Sequence, residues 1–166
     1  MRRVLVVTLA LGACRAGRHE VAERPRFEDY PVTARFSGPT ARLDLSSDSG
    51  AHEFRTVLRE GANAAPNFAG HYIVVSWGCG SPCHAFGLID VATGRIYMAP
   101  FSVMSGAEYR LESALFVAEP PADVVRLCAE AWMRAMCDSV YSYYYRWNGR
   151  RLALIDSVLV DSSAVK

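Results

Sequence analysis

Short runs of β-branched and aromatic residues, separated by turn-forming residues, dominate the hydrophobic pattern of the chain. Such runs are typical of buried or half-buried strands, because branched and aromatic side chains pack well on a pleated surface. Gly94 supplies a left-handed backbone position between two of the runs, and therefore predicts a hairpin there. The runs predict strands over residues 32–36, 41–45, 72–77, 85–90, 95–98 and 114–117.

The strongest pattern is a hairpin formed by residues 141–147 and 150–158. Asn148 and Gly149 lie between the two runs and form a dipeptide that two-residue turns favour. This turn predicts the register of three pairs: Trp147 with Arg150, Tyr145 with Leu152, and Tyr143 with Leu154. We expect that face, which also carries Tyr141, to pack in the core. The alternative is an exposed aromatic platform for a sugar or a peptide.

Two segments have helical spacing instead. Residues 50–60 place Phe54 and Leu58 on one face, with Ser49 in the position of an N-cap. Residues 122–136 have apolar residues on one face and an i,i+4 charge pattern on the other. The whole pattern predicts an α+β fold, mainly an antiparallel β-sheet with one or two short helices.

The N-terminus carries the features of an export signal. Arg2 and Arg3 precede an apolar stretch at residues 4–13, which is too short to span a membrane. The stretch ends in Leu11-Gly12-Ala13-Cys14, which resembles a bacterial lipobox. The resemblance implies that Cys14 becomes an acylated N-terminus after cleavage. The alternative is a cleaved secretory signal in which Cys14 has no special role.

These features predict the domain organisation of the chain and its location in the cell. We expect a signal peptide at residues 1–13, a lipidated N-terminus and tether at 14–29, and a single β-rich domain at 30–166. Acyl chains would hold the protein on a bilayer through burial of their methylene groups. Arg15 stands where an aspartate would signal inner-membrane retention, so the outer membrane facing the periplasm is favoured. The alternative is a periplasmic or secreted protein.

Charge and composition restrict the partners. The formal net charge is +1, which gives no electrostatic reason to expect nucleic acid binding. No apolar run reaches the roughly 18 residues of a membrane-spanning helix. The expected partners are the membrane, through the lipid anchor, and a protein or peptidoglycan of the cell envelope. The sequence indicates no cofactor.

Cysteine usage agrees with export. Apart from Cys14 the chain has four cysteines, and an even number in an exported domain predicts two disulfides, with three pairings open. Cys79 and Cys83 are separated by turn formers, so a local bridge between them is feasible. An unbroken helix would hold Cys128 and Cys137 about 13.5 Å apart. A bridge needs α-carbons within about 7 Å. We expect a short helix and a local bridge, the alternative being that both cysteines bond elsewhere.

One stretch is distinctive enough to suggest relatives. It runs from Phe68-Ala69-Gly70-His71-Tyr72 to Trp77-Gly78-Cys79-Gly80-Ser81-Pro82-Cys83, and Asp90, Thr93 and Gly94 follow it. The pattern F-A-G-H-Y, W-G-C-G-x-x-C and D-x-x-T-G resembles a group of uncharacterised bacterial secreted proteins and lipoproteins. The resemblance covers roughly residues 65–156. It implies a β-rich exported domain and implies no activity.

Three chemical roles can be imagined for the same stretch. Cys79 and Cys83 could form a redox pair, could bind zinc with His71 and His84, or a thiolate or Ser81 could act as a nucleophile with His71 as its base. A structural disulfide fits better, because the spacing departs from C-x-x-C and thiols oxidise in an exported protein.

We therefore expect no catalytic residue and no metal ligand in this chain. His71, Trp77 and His84 are the candidate binding residues. The leading hypothesis is a non-catalytic binding or structural module of the bacterial envelope. The alternative is a periplasmic thiol-redox protein or other envelope enzyme that uses Cys79 and Cys83 with His71.

Overall fold

The computed structural model describes residues 24–161 of the chain. Within them, seven antiparallel strands form two sheets, which confirms the α+β, mainly antiparallel fold. The first sheet has the order β1 (Tyr72–Gly80), β2 (Cys83–Asp90), β3 (Ile96–Val103). The second sheet has the order β4 (Ala107–Tyr109), β5 (Leu115–Ala118), β6 (Tyr141–Trp147), β7 (Leu152–Leu159). The predicted signal peptide and Cys14 lie outside the described residues.

The helices are short and lie on the chain between or before the strands. The helix α1 (Arg55–Gly61) precedes the first sheet, and α2 (Pro121–Ala129) connects β5 to β6. Two single turns of 3-10 helix occur at Phe27–Asp29 and Arg134–Met136. This content matches the prediction of one or two short helices.

The two sheets pack face to face as a sandwich with an aromatic core. Alternation along each strand sends every second side chain into this layer. Phe116 lies at the centre, with rings of Phe68 and Phe86 meeting it edge-on at centroid distances of 6.0 and 5.5 Å. The buried members of the layer are Phe68, Ala69, Tyr72, Val74, Phe86, Leu88, Val103, Phe116, Ala118, Trp147 and Leu152.

Each sheet is also covered on its outer face. Ile73 and Val75 of β1 point outward and pack with Leu58 of α1. On the second sheet, Tyr144 packs with Phe27 and Tyr30 from the beginning of the described chain. Phe27 belongs to the stretch predicted as a tether, so part of that stretch packs on the domain. β5 is buried along its whole length and forms a continuous apolar run, whereas β6 alternates between buried and exposed residues.

The predicted strands at residues 32–36 and 41–45 are wrong. These residues form irregular chain. Single backbone bridges join Pro31, just before the first range, to Ser113, and Asp44 to Arg95. Apolar side chains of both ranges, including Phe36 and Leu43, pack against the outer face of the first sheet. The alternating pattern therefore arises from a segment that covers a sheet without joining one.

The helix predicted over residues 50–60 begins later than expected, at Arg55. The residues before it form turns around Asp48, whose carboxylate accepts hydrogen bonds from the amides of Gly50 (2.9 Å) and Met98 (3.1 Å). Because Asp48 ties this turn to β3, the chain enters the helix only after the turn is complete.

The C-terminal hairpin exists, but its predicted register is wrong. Trp147 pairs with Leu152 and Tyr145 with Leu154, so four residues rather than two connect the strands. The Asn148 side-chain oxygen accepts hydrogen bonds from the amides of Arg150 and Arg151, both at 3.0 Å. This side-chain cap stabilises a wider turn than the Asn-Gly dipeptide predicts.

Both predicted disulfides are present. Cys79 bonds to Cys83 and Cys128 to Cys137, with Cα–Cα distances of 5.0 and 5.9 Å. The second bridge forms because α2 ends at Ala129 and Glu130 adopts an extended conformation (φ −66°, ψ 129°). The chain then turns back, which resolves the conflict between helical spacing and the distance that a disulfide requires.

Candidate functional site: the hairpin–helix pocket

The hairpin of β1 and β2 extends beyond the sandwich and ends in a glycine-rich tip. Gly78 pairs with His84 and Gly80 with Cys83, with a register shift between Gly78 and Gly80. His84 has the same strand parity as the core residues Phe86 and Leu88, so its side chain lies on the inner face of the sheet. The tip projects past the core, and His84 is therefore exposed.

The helix α2 forms the opposite wall. Pro121 occupies its first turn, where a missing amide hydrogen costs nothing because the first amides of a helix have no internal partner. Val124 and Cys128 lie on the buried face of the helix. Asp123 and Arg126 form an ion pair at 2.9 Å on its other face. The Cys128–Cys137 bridge ties the end of the helix to the next turn.

A buried carboxylate holds the third wall in place. Glu119 is 6% exposed and has a positive φ of 56°. Its oxygens accept hydrogen bonds from the amides of Met104 (2.5 Å) and Ser105 (2.8 Å), and also from the Ser105 hydroxyl. The Ser142 hydroxyl donates to the Glu119 carbonyl. From the sequence, Glu119 and Asp123 form only an acid pair too poorly placed to indicate glycoside hydrolysis, so this structural role of Glu119 was not predicted. The Glu-Pro-Pro sequence before a helix was the available signal.

These three walls enclose an open pocket of about 520 Å³, which we call the hairpin–helix pocket. It lies at one end of the sandwich. The Cys79–Cys83 disulfide cross-links the hairpin wall, and the Cys128–Cys137 disulfide cross-links the helix wall to the turn that follows it. Its lining residues are Gly78, Gly80, Ser81, Pro82, Cys83, His84, Met104, Ser105, Asp123, Arg126, Leu127 and Glu130. Three of the lining residues are charged: Asp123, Arg126 and Glu130. Met104 and Leu127 are half-buried apolar residues of the same lining.

The structure separates the three predicted binding residues. His84 lines the hairpin–helix pocket. Trp77 packs on the outer face of the first sheet, with its ring centroid 4.6 Å from that of Phe54. His71 lies just before the opposite end of β1, about 26 Å from Cys79 at roughly 3.3 Å per strand residue. Only one of the three residues therefore belongs to the pocket.

His71 and Asp90 instead belong to a structural turn. The His71 Nε2 atom lies 3.5 Å from the Asp90 carboxylate, which also accepts a hydrogen bond from the Ala92 amide at 2.8 Å. The Asp90 carboxylate is therefore the polar group next to the His71 ring, and it holds this ring at the turn. Gly94 has a φ of +75°, as the predicted left-handed position requires. The D-x-x-T-G part of the distinctive stretch is explained by this turn.

The predicted aromatic face of β6 is divided between core and surface. Tyr145 stacks on Phe101 at 4.4 Å, and Trp147 is 6% exposed. Tyr141 and Tyr143, on the same face, are 39% and 37% exposed. Core packing thus accounts for Tyr145 and Trp147, whereas Tyr141 and Tyr143 are exposed.

The chemical alternatives find little support in this geometry. Cys79 and Cys83 are oxidised, and His71 is too distant to act on either sulfur. Within residues 24–161, no group of three or more histidine, cysteine and acidic side chains is arranged to hold a metal ion. In the same range, no helix has the length and hydrophobicity needed to cross a bilayer.

Comparisons of the chain with protein-family models, with curated proteins and with solved structures give no match.

Proposed function

We propose that this protein is an exported, lipid-anchored binding module of the bacterial cell envelope, and that it is not an enzyme. The signal-like N-terminus and the lipobox-like sequence at Cys14 support the export and the anchor. The proposed binding site is the hairpin–helix pocket, and the proposed partner is a protein or the cell wall.

The observation that carries this proposal is that both disulfides secure walls of one pocket. Cys83 lines the pocket itself, and Cys128 lies on the buried side of α2. A site whose walls are fixed before binding loses less conformational entropy when it binds. Rigid walls that present polar side chains suit the recognition of a ligand.

Photo-cross-linking in living cells tests the proposal even though the partner is unidentified. A photoreactive residue replaces the exposed His84, and in a matched control it replaces the exposed Ala65 beyond α1. A protein partner gives an adduct of higher mass, whereas a cell-wall partner leaves the adduct with the insoluble sacculus. We expect either adduct from position 84 and not from position 65.

A second variant connects the adduct to the pocket. The Cβ atom of a residue at position 78 would meet only the Cys83 carbonyl, at 3.9 Å, so Gly78→Leu fills the pocket from an open position. We expect Gly78→Leu to abolish the adduct while the free energy of unfolding stays near that of the parent. An equal yield of adducts at positions 65 and 84, or an adduct that survives Gly78→Leu, would refute the proposal.

A further inference from the structure

The charged side chains of the hairpin–helix pocket make it slightly acidic. Asp123 and Glu130 contribute carboxylates, and Arg126 contributes the one guanidinium among the lining residues. With histidine counted as neutral, the lining carries a net charge of −1. Arg126 is already paired with Asp123 at 2.9 Å. The Glu130 carboxylate has no hydrogen bond or ion pair within the described part of the chain.

Glu130 is exposed and directly follows α2, which ends at Ala129. The last carbonyl groups of a helix carry partial negative charge, and here the Arg134 guanidinium donates to the Ala129 carbonyl at 3.5 Å. The helix end therefore has a cation of its own, and the Glu130 carboxylate is the group that a ligand can reach. The ionic group that this corner of the pocket accepts best is therefore a cation, and an anion is disfavoured.

The rest of the pocket suits an aliphatic chain. Met104 and Leu127 line it, and both pack against the buried cluster around Cys128 and Met133. Their exposed parts offer a small apolar surface near the acidic corner. None of the lining residues is phenylalanine, tyrosine or tryptophan, and the imidazole of His84 is the one aromatic ring among them.

We infer that the hairpin–helix pocket binds an alkylammonium group, as carried by the side chain of lysine or another diamino acid in a peptide. The ammonium meets the Glu130 carboxylate, and its methylene groups rest on Met104 and Leu127. This inference rests on the proposed function, since it names the ligand of the same pocket. A free diamine offers the same chemistry from another source.

Titration of the purified full chain, with both disulfides oxidised, tests the ligand class. The probes are acetyl-alanyl-lysyl-alanine amide, its norleucine and glutamate counterparts, and free cadaverine. We expect the lysine peptide to bind at least about tenfold more tightly than the norleucine peptide, because only it pairs with a carboxylate. Binding by cadaverine alone would assign the site to free diamines and overturn the peptide assignment.

Variants that change the charge of the pocket test whether the affinity for the lysine peptide rises or falls as expected. Glu130→Gln should weaken binding of the lysine peptide about tenfold. Glu60→Gln, an exposed position on α1, should leave it unchanged. Arg126→Gln should strengthen binding, because it releases the Asp123 carboxylate. Weaker binding after Arg126→Gln, or equal affinity for the lysine and norleucine peptides, would overturn the inference.

Failure of this inference can be distinguished from failure of the proposed function. If the lysine peptide does not bind while Gly78→Leu still abolishes the cross-linked adduct, the pocket binds its partner through other chemistry. If the adduct also survives Gly78→Leu, the pocket itself is not the binding site.

Discussion

Single residues with constrained backbones explain much of the distinctive F-A-G-H-Y sequence. Ala69 and Gly70 both have positive φ, 43° and 86°, and Phe68 is fully buried in the core. A Cβ atom at position 70 would lie 2.2 Å from the Ala34 carbonyl oxygen. The turn before β1 therefore needs glycine both for its conformation and for the close approach of another backbone.

Gly70→Ala should destabilise the protein by roughly 1–3 kcal/mol or more, because backbone strain and a clash act together. Gly78→Ala is the matched control, since its Cβ atom enters open space without a positive φ. We expect the control to leave stability unchanged or raise it by about 0.5–1 kcal/mol. Urea unfolding of both variants measures the difference, and similar stabilities would contradict the explanation of Gly70.

Buried tyrosines should make the fold sensitive to alkaline pH. Burial raises the pKa of Tyr72, Tyr109, Tyr144 and Tyr145 above the ordinary value. Above about pH 10 the unfolded chain loses phenolic protons that the folded chain retains, so the free energy of unfolding falls as pH rises. The chain has a single lysine, at its last position, so lysine adds little to the titration in this range.

The measurement is urea unfolding between about pH 9 and about pH 11, with tyrosinate absorbance followed in parallel. Tyr144→Phe should reduce the loss of stability above about pH 10, because Tyr144 is buried. Tyr141→Phe, at an exposed position of the same strand, should leave the pH dependence as it is. A stability that stays constant across this range would show that burial of the phenols has no such effect.

At the scale of elements, the two disulfides differ in environment although both are local. Cys79 is exposed and Cys83 half-buried, whereas Cys128 and Cys137 are 3% and 4% exposed. Thiol–disulfide exchange requires direct attack of a thiolate on sulfur, so access controls its rate. Under native conditions a mild dithiol should reduce Cys79–Cys83 first.

Alkylation and mass spectrometry of the partly reduced protein check this order. Loss of the Cys128–Cys137 bridge first, or of both together, would contradict it. Replacing either pair by serine should cost roughly 2–3 kcal/mol of stability, since both closed loops are short. We expect the larger loss for Cys128→Ser with Cys137→Ser, because that pair also lies in a packed cluster.

The elements also show where sequence patterns succeed and fail. Runs such as residues 72–77 predicted strands correctly, because their branched and aromatic residues form the core itself. The pattern at residues 41–45 failed because an apolar side chain can cover a sheet without its backbone joining the sheet. The hairpin register failed because the Asn148 side chain capped two amides, which the dipeptide alone does not reveal.

The candidate site was predictable only in part. His84 and the Cys79–Cys83 bridge were recognised from the sequence because they lie in one distinctive stretch. Asp123 and Glu130 were not, because they reach the pocket only when α2 packs across the end of the sandwich. Local patterns report neighbours in sequence, whereas this pocket brings together residues such as Gly78 and Asp123, which are 45 positions apart.

At the scale of the whole molecule, the start of the described chain forms an outer layer of the sandwich. Phe27 and Tyr30 pack on the second sheet with Leu115, Val117 and Tyr144. The Ser113 hydroxyl donates to the Phe27 carbonyl at 2.8 Å, and the Ala114 amide donates to the Tyr30 carbonyl at 2.9 Å. The domain thus depends on residues upstream of the predicted boundary at residue 30.

A chain that begins at Pro31 should therefore be less stable than one that begins at Arg24. Loss of two partly buried aromatic side chains and their hydrogen bonds should lower the free energy of unfolding by about 2–4 kcal/mol. Urea unfolding of the two chains makes the comparison, with Glu28→Gln as a control that removes the exposed ion pair between Glu28 and Arg110. Equal stability would mean that residues 24–30 rest on the sheet without supporting it, and that the tether extends to the boundary predicted from the sequence.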